Sequence, residues 1–289
     1  MEQVNQTKPT VGGMVKFAYP FIATKDVAPD QPIFRYIFKK KRLTEEQKLW
    51  MSFLYMVYSS IPSTLAAFRI HPTPAYPNPE VSRLFCAVER RGFRNPTALL
   101  RHWSDAIDRF SEEGSLVAWI TKDWTDDPEA NYELFWKQSQ TIWGNGRWAA
   151  FSWAELLKKT NDLNISAPDM RLEFCSGPKA GLCAICEVPE TTPVPILNEH
   201  AINLRLSLYD HGFSNGLDEY TLDWETMETL LCDYNKFTKG TYAIGDHIRE
   251  VWKDVVRAGD SLWAADAAML WEARAETLPH GYLQERGCR

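Results

Sequence analysis

Tyr132-Glu133-Leu134-Phe135-Trp136-Lys137-Gln138-Ser139-Gln140-Thr141-Ile142, then Trp143-Gly144-Asn145-Gly146-Arg147, then Trp148-Ala149-Ala150-Phe151-Ser152-Trp153-Ala154-Glu155-Leu156-Leu157, is the stretch that decides the fold. Tyr132, Phe135, Trp136, Ser139 and Ile142 recur at helical spacing, and so do Ala149, Trp153, Leu156 and Leu157. Two amphipathic helices joined by a Gly-x-Gly turn make an αα-hairpin. Gly144 and Gly146 are expected to permit positive φ and close backbone approach. The first amides of the second helix have no intrahelical partner and sit at the positive helix end, which suits a phosphate. Arg147 adds a charged fork there. The same pattern also suits a plain tight turn with a C-cap glycine.

The rest of the chain reads the same way. Thr44-Glu45-Glu46-Gln47 is a capping box that opens a helix carrying Trp50, Phe53, Leu54 and Val57, expected to stop near Ile61-Pro62. Residues 71–80 hold four prolines and form a loop. Asn95-Pro96-Thr97 starts a helix with Leu99, Trp103, Ile107 and Phe110 on one face, ended by Gly114. Residues 182–188 are expected to form a buried strand or turn, and 186–199 a Pro-rich connection to a helix around Ala201–Leu208. Further helical faces are Trp224/Met227/Leu231/Tyr234, Ile248/Val251/Trp252/Val255 and Leu262 to Trp271. Strand-like alternation is scarce, so the fold class is mainly α with few short strands. Residues 1–30 read as an N-terminal arm or extended cover. Residues 31–289 read as one helical catalytic domain, with two lobes as the variant and the hairpin lobe at about 95–185.

Composition narrows the partners. The chain has 289 residues, 45% hydrophobic and 24% charged, which excludes disorder, collagen and coiled coil as dominant descriptions. Its net charge of −6 provides no global basic field, so any nucleic acid must be met by local patches. Lys39-Lys40-Lys41-Arg42 and Arg83/Arg90/Arg91/Arg94 are such patches. With 12 Trp, 11 Tyr and 14 Phe, the chain is rich in faces for helix packing or for stacked bases. The apolar stretch from Leu49 to Tyr58 is too short to span a membrane, and Met1 to Thr10 lacks a signal-peptide pattern. The expectation is a cytoplasmic protein without a membrane partner. Cys183-Ala-Ile-Cys186, with Cys175 and His200, makes a zinc or iron–sulfur site conceivable, but no second clustered pair supports it, and the expected metal set is none.

The hairpin resembles the helix–hairpin–helix of the DNA-glycosylase superfamily. That resemblance implies a glycosylase-like helical body. It also implies an Asp at another helix start, roughly twenty residues past the second glycine. Ala167-Pro168-Asp169-Met170-Arg171 matches, with Asp169 standing 23 residues after Gly146. The lysine that bifunctional glycosylases place after the hairpin is absent, since Arg147-Trp148 stands there.

Further segments resemble a phage group, the amino acid:DNA transferases and the related α-glutamyl/putrescinyl-thymine pyrophosphorylases. They are Gln31-Pro32-Ile33-Phe34-Arg35-Tyr36, Gly146 to Trp153, Leu231-Cys232-Asp233-Tyr234, and Lys239 to Asp246. The resemblance covers about residues 30–255. It implies double-stranded DNA carrying a phosphorylated or pyrophosphorylated 5-hydroxymethyluracil as one partner and a free amino acid as the other. Glycine is favoured, the product is hypermodified thymine, and a phage-encoded chain would act in the host cytoplasm.

That chemistry sets three tasks. The base must leave the stack, with Gly144, Asn145, Gly146, Trp148, Lys39, Lys40, Lys41 and Arg42 expected on DNA. The incoming ammonium must lose a proton, for which Asp169 and then Asp246 are the candidate carboxylates. The departing phosphate and the amino acid's carboxylate need cations: Arg35, Arg147, Arg171, Lys236 and Lys239. No resident cofactor is expected, though a divalent metal is compatible. A monofunctional glycosylase using Asp169, and a non-catalytic DNA-binding protein, remain open alternatives.

Overall fold

A computed structural model describes residues 8–213, 222–258 and 263–279. It is mainly α, and the few short strands expected are not found among the described residues. The chain clusters into two compact units. One comprises 1–28, 168–248 and 279–289, the other 29–167 and 249–278.

In the first unit, helix α1 (Val11–Ala23) buries Met14, Phe17, Ala18, Phe21 and Ile22. The expected arm therefore contains a core helix. Its apolar residues recur at three- and four-residue steps among glycines, a weak signal in sequence. Thr10 caps it by accepting from the Gly13 amide. The other elements of this unit are a three-residue 3₁₀ turn (Leu172–Phe174), α9 (Gly177–Cys186), α10 (Val194–Leu208) and α11 (Trp224–Thr238). Helices α9 and α11 approach closely at Gly181, where a Cβ would lie 2.4 Å from the Leu231 carbonyl oxygen. The Cys183–Cys186 run is thus helix rather than strand or turn, because Gly177-Pro178 opens a helix whose small face packs on a neighbour. Pro193 caps α10 and Pro195 lies in its first turn, so the Pro-rich connection ends earlier than its composition suggests.

The second unit contains α2 (Asp30–Lys41), α3 (Glu45–Tyr58), α4 (Ile61–Ile70), α5 (Pro96–Glu112), α6 (Leu116–Ile120), α7 (Pro128–Ser139), α8 (Arg147–Asn161) and α13 (Ala264–Thr277). Between α4 and α5 run two 3₁₀ helices, Pro79–Arg83 and Val88–Arg94. The capping box of α3 forms in both directions between Thr44 and Gln47. Pro62 opens α4 instead of merely ending α3, since proline is tolerated in a first turn. The core is aromatic. Trp153 stacks on Trp119 at 5.9 Å and meets Phe135 edge-on at 5.2 Å, while Phe53 meets Phe110 edge-on. Trp153 is fully buried and is a core residue, not a stacking platform.

Helix α12 (Asp246–Ala258) begins with residues of the first unit. The helix expected at Leu262–Trp271 is α13, and Leu262 itself lies outside the described residues, as does Cys288. No helix among the described residues is long and apolar enough to cross a membrane.

Candidate active site

The hairpin turn is fixed from beneath by two side chains one turn apart on α5. Asp105 Oδ2 accepts the Trp143 amide at 2.7 Å, and the Trp143 carbonyl accepts from His102 Nδ1 at 2.5 Å. The carbonyl partner assigns the imidazole proton to Nδ1. His102 is fully buried and stacked on Phe53 and Phe93. Burial, with the nearby Arg90 charge, pushes its pKa down to about 3, so it is a neutral clamp. Gly144 has φ +84°, and a Cβ there would meet Phe93 at 3.0 Å. Gly144 is thus required on both counts. Gly146 is different: it is the N-cap of α8 with φ −97°, in extended backbone, and open space surrounds its Cβ position. The expected positive φ at Gly146 is not found, because the turn reverses the chain at Gly144 alone. Asn145 is buried, its amide donates to the Ile142 carbonyl, and its side chain donates to the Ser139 carbonyl. It holds the turn from within.

No side chain caps α8. Beside its first turn, Glu89, Arg90, Gly146, Trp148 and Ala149 line a hollow of about 200 Å³. Trp148 is exposed there, and Arg147 lies over the Phe151 ring at 4.9 Å.

The expected basic patches are only partly available to DNA. Lys40 pairs with Glu272 at 2.6 Å and Lys41 with the buried Asp266 at 2.9 Å, while Lys39 and Arg42 are exposed. Arg35 donates to the Lys159 carbonyl and to Asp162 Oδ1, tying α2 to the C-terminal end of α8. Arg83, Arg91 and Arg94 are exposed, whereas Arg90 is buried.

Asp169 and Arg171 belong to the first unit, the hairpin to the second. Asp169 does not start a full helix. Its Oδ1 accepts the Arg171 amide at 2.8 Å in a local turn, Arg171 takes left-handed backbone with φ 53°, and only the three-residue 3₁₀ turn follows. The Arg171 guanidinium lies 3.8 Å from the same carboxylate oxygen. Asp246 sits at the start of α12, where its Oδ2 accepts the Ala243 amide at 2.6 Å. Lys239 is the exposed C-cap of α11.

The remaining predicted cation, Lys236, leads to a constellation that sequence reasoning missed. Its Nζ lies 2.8 Å from Asp233 Oδ1, and the other oxygen of Asp233 lies 2.7 Å from His247 Nε2. Asp233 is buried, while Lys236 and His247 are partly exposed. Burial acts to lower the His247 pKa, but the hydrogen bond and charge of Asp233 outweigh it, and the net direction is up. Burial would likewise raise the Asp233 pKa, and its two cationic neighbours bring it below the usual value. Next to this pair, fully buried Asp26 accepts the Tyr242 hydroxyl and the amides of Gly245 and Ile248, fixing the start of α12 that carries His247. Residues 233 and 247 lie on different helices joined by a turn, so no local spacing announces the pair.

Cys183 and Cys186 lie one helical turn apart on α9. Among the described residues no group of three or more His, Cys, Asp or Glu side chains is arranged to hold a metal ion.

Residues 75–242 match the family model described as amino acid:DNA transferase. That defines the class: an enzyme that transfers a group to DNA and takes an amino acid and DNA as substrates. The match spans more than half of the sequence, and the chain belongs to the amino acid:DNA transferase family. The glycosylase and non-catalytic readings give way to it. A comparison with curated proteins returns no match. The matched segment includes the hairpin, Asp169, Asp233 and Lys236, and ends before Asp246 and His247.

Proposed function

We propose that this transferase acts on DNA carrying a phosphorylated or pyrophosphorylated 5-hydroxymethyluracil. It replaces the phosphate group with a free amino acid, glycine favoured, joined through its amine, and the product is a hypermodified thymine. The C–O bond to the leaving phosphate breaks, a C–N bond to the 5-methylene carbon forms, and the nucleophile's proton passes to a protein base. The family match supports this reading, since it names an amino acid and DNA as the two substrates.

Asp169 and Asp246 are the carboxylates proposed for proton transfer, and the Asp233–His247 pair joins them. A histidine with a raised pKa is well matched to a base working near neutrality. Arg35, Arg147, Arg171, Lys236 and Lys239 are the proposed cations for the leaving group and the substrate carboxylate. Gly144, Asn145, Gly146 and Trp148, with Lys39 to Arg42, are the proposed DNA contacts, the target base being drawn out of the stack. The reading invokes no resident cofactor. It places the enzyme in a phage-infected host cytoplasm.

The test is transfer of labelled glycine to duplex DNA that carries the activated base, with phosphate or pyrophosphate released in equal amount. Parallel reactions with and without a chelator decide whether a divalent ion assists departure. Absence of transfer with every amino acid and polyamine refutes the reading.

A further inference from the structure

Arg90 is an anomaly. It is 7% exposed, yet among the described residues no carboxylate pairs with it. Its Nε has no hydrogen-bond partner, and its one side-chain hydrogen bond, to Asn145 Oδ1, is 3.5 Å long. The guanidinium lies 4.2 Å over Phe93 and 5.9 Å from the centre of Trp148, so two aromatic faces hold it in place. Burial draws its pKa down to about 10, the signature of a cation without a compensating anion. Buried charges are ordinarily paired. A guanidinium positioned by rings, with only one long hydrogen bond and no anionic partner among the described residues, is preorganised for an anion supplied from outside.

The hollow it lines shows which anion fits. The hollow, open to solvent and about 200 Å³ in volume, has room for a free amino acid. Its lining includes Arg90 and the uncapped start of α8 at Gly146. Glu89, exposed, presents a carboxylate, while Trp148 and Ala149 present apolar surface. A phosphate, doubly charged, would face the Glu89 carboxylate. A zwitterion would satisfy both ends, its carboxylate on Arg90 and its ammonium toward Glu89.

We infer that this hollow is the free amino acid's binding site, with Arg90 taking the α-carboxylate, Glu89 the α-ammonium and Trp148 forming an apolar wall against the α-carbon. The inference rests on the proposed amino-acid transfer, and it adds three residues that reading does not use in this way. Arg90 was expected only as one member of a surface patch, and the structure sets it apart from Arg83, Arg91 and Arg94.

Binding without DNA tests it separately from catalysis. Titration of the full chain with glycine, followed by isothermal calorimetry and by Trp148-dependent fluorescence, is expected to show saturable binding. Arg90→Gln is expected to weaken it by about tenfold or more, the loss of a charge-assisted hydrogen bond. Glu89→Gln, at an exposed position that leaves the fold intact, is expected to weaken glycine but not acetate or inorganic phosphate. If Arg90→Gln does not fold, Glu89→Gln and Trp148→Ala carry the test. In the transfer reaction Arg90→Gln and Glu89→Gln raise KM for the amino acid and leave KM for DNA unchanged. The proposal is overturned if glycine binding is unaffected by Glu89→Gln and Trp148→Ala, or if inorganic phosphate binds the hollow more tightly than glycine and Arg90→Gln and Glu89→Gln raise KM for DNA instead. Glycine binding that persists in a chain inactive on every activated DNA would uphold the site while refuting the proposed reaction.

Discussion

Asp233 and His247 show how one residue's chemistry depends on another's burial. The Asp233 carboxylate is buried and shared between an ammonium and an imidazole, so it stays charged and keeps His247 readily protonated. For stability the signs are opposite. The His247 contribution is present below its unfolded pKa and lost as pH rises through its raised folded value. That of Asp233 is present above its unfolded pKa and lost as pH falls through its depressed folded value. For activity, Asp233→Asn lowers the His247 pKa and moves the acid limb of the pH–kcat profile to lower pH. His247→Gln is expected to lower kcat by about 10²- to 10⁴-fold, the usual span for a lost general base, with little change in DNA affinity. An unchanged profile in Asp233→Asn would remove the pair from the mechanism. Gly144 offers a prediction of another kind. Gly144→Ala forces a side chain into left-handed backbone and against Phe93, and is expected to cost about 1–3 kcal/mol in chemical denaturation. Gly146→Ala, in extended backbone with open space around it, is expected to cost well under half of that.

At the scale of elements, much of the structure was legible because capping chemistry is local. Thr44 with Gln47, and Asn95 before Pro96, announce α3 and α5, and both caps form. The Gly-x-Gly turn is where the spacing puts it, but only one of its glycines needs to be glycine. Prolines misled in the other direction: Pro62 and Pro195 sit inside first turns, where proline starts helices as readily as it ends them. α1 and α9 were hidden because their apolar, small-residue faces show little contrast with their surroundings. The clamp from α5 could not be read at all, since His102 and Asp105 look like ordinary helix residues until Trp143 lies on them. His102 carries a pH prediction. Its folded pKa of about 3 lies below the ordinary 6.5, so its contribution is complete above pH 6.5 and is lost progressively as pH falls toward 3. Asp254, on α12, runs the other way, with burial raising it to about 6 from 3.8. Ionising it costs stability above pH 6, and that cost disappears by about pH 4. Asp254→Asn should therefore stabilise the protein at pH 7.5, by at most about 3 kcal/mol, with the advantage vanishing near pH 4. Equal effects at both pH values in urea titrations would contradict this.

For the whole molecule, an acidic chain that acts on DNA must concentrate its positive charge. The predicted Lys39–Arg42 cluster is half committed to Glu272 and Asp266, so an exposed run of basic residues in sequence overstates the charge left for phosphates. Lys39→Gln and Arg42→Gln are expected to reduce the salt slope of DNA binding by about 0.9 each if each neutralises one phosphate. Lys41→Gln is expected to leave the slope unchanged. Two lobes stood as the variant in the sequence, but which segments make up each unit was not legible, because each is assembled from segments distant in sequence. Asp169 matched a motif spacing, yet spacing says nothing about which unit a residue joins. The candidates were legible in part: the hairpin, Trp148 and Lys236 can be proposed from the sequence, whereas Arg90 among four similar arginines and His247 across a turn from Asp233 stand out only in three dimensions.

Mass spectrometry of nucleosides bears most directly on the central claim. DNA bearing (pyro)phosphorylated 5-hydroxymethyluracil is incubated with the protein and a mixture of amino acids, then digested to nucleosides. The account predicts a new thymidine derivative heavier than 5-hydroxymethyldeoxyuridine by one amino acid less water, bonded through the amine at the 5-methylene carbon, with glycine the preferred donor. Unmodified substrate with every donor, or abasic sites in place of an adduct, would contradict it.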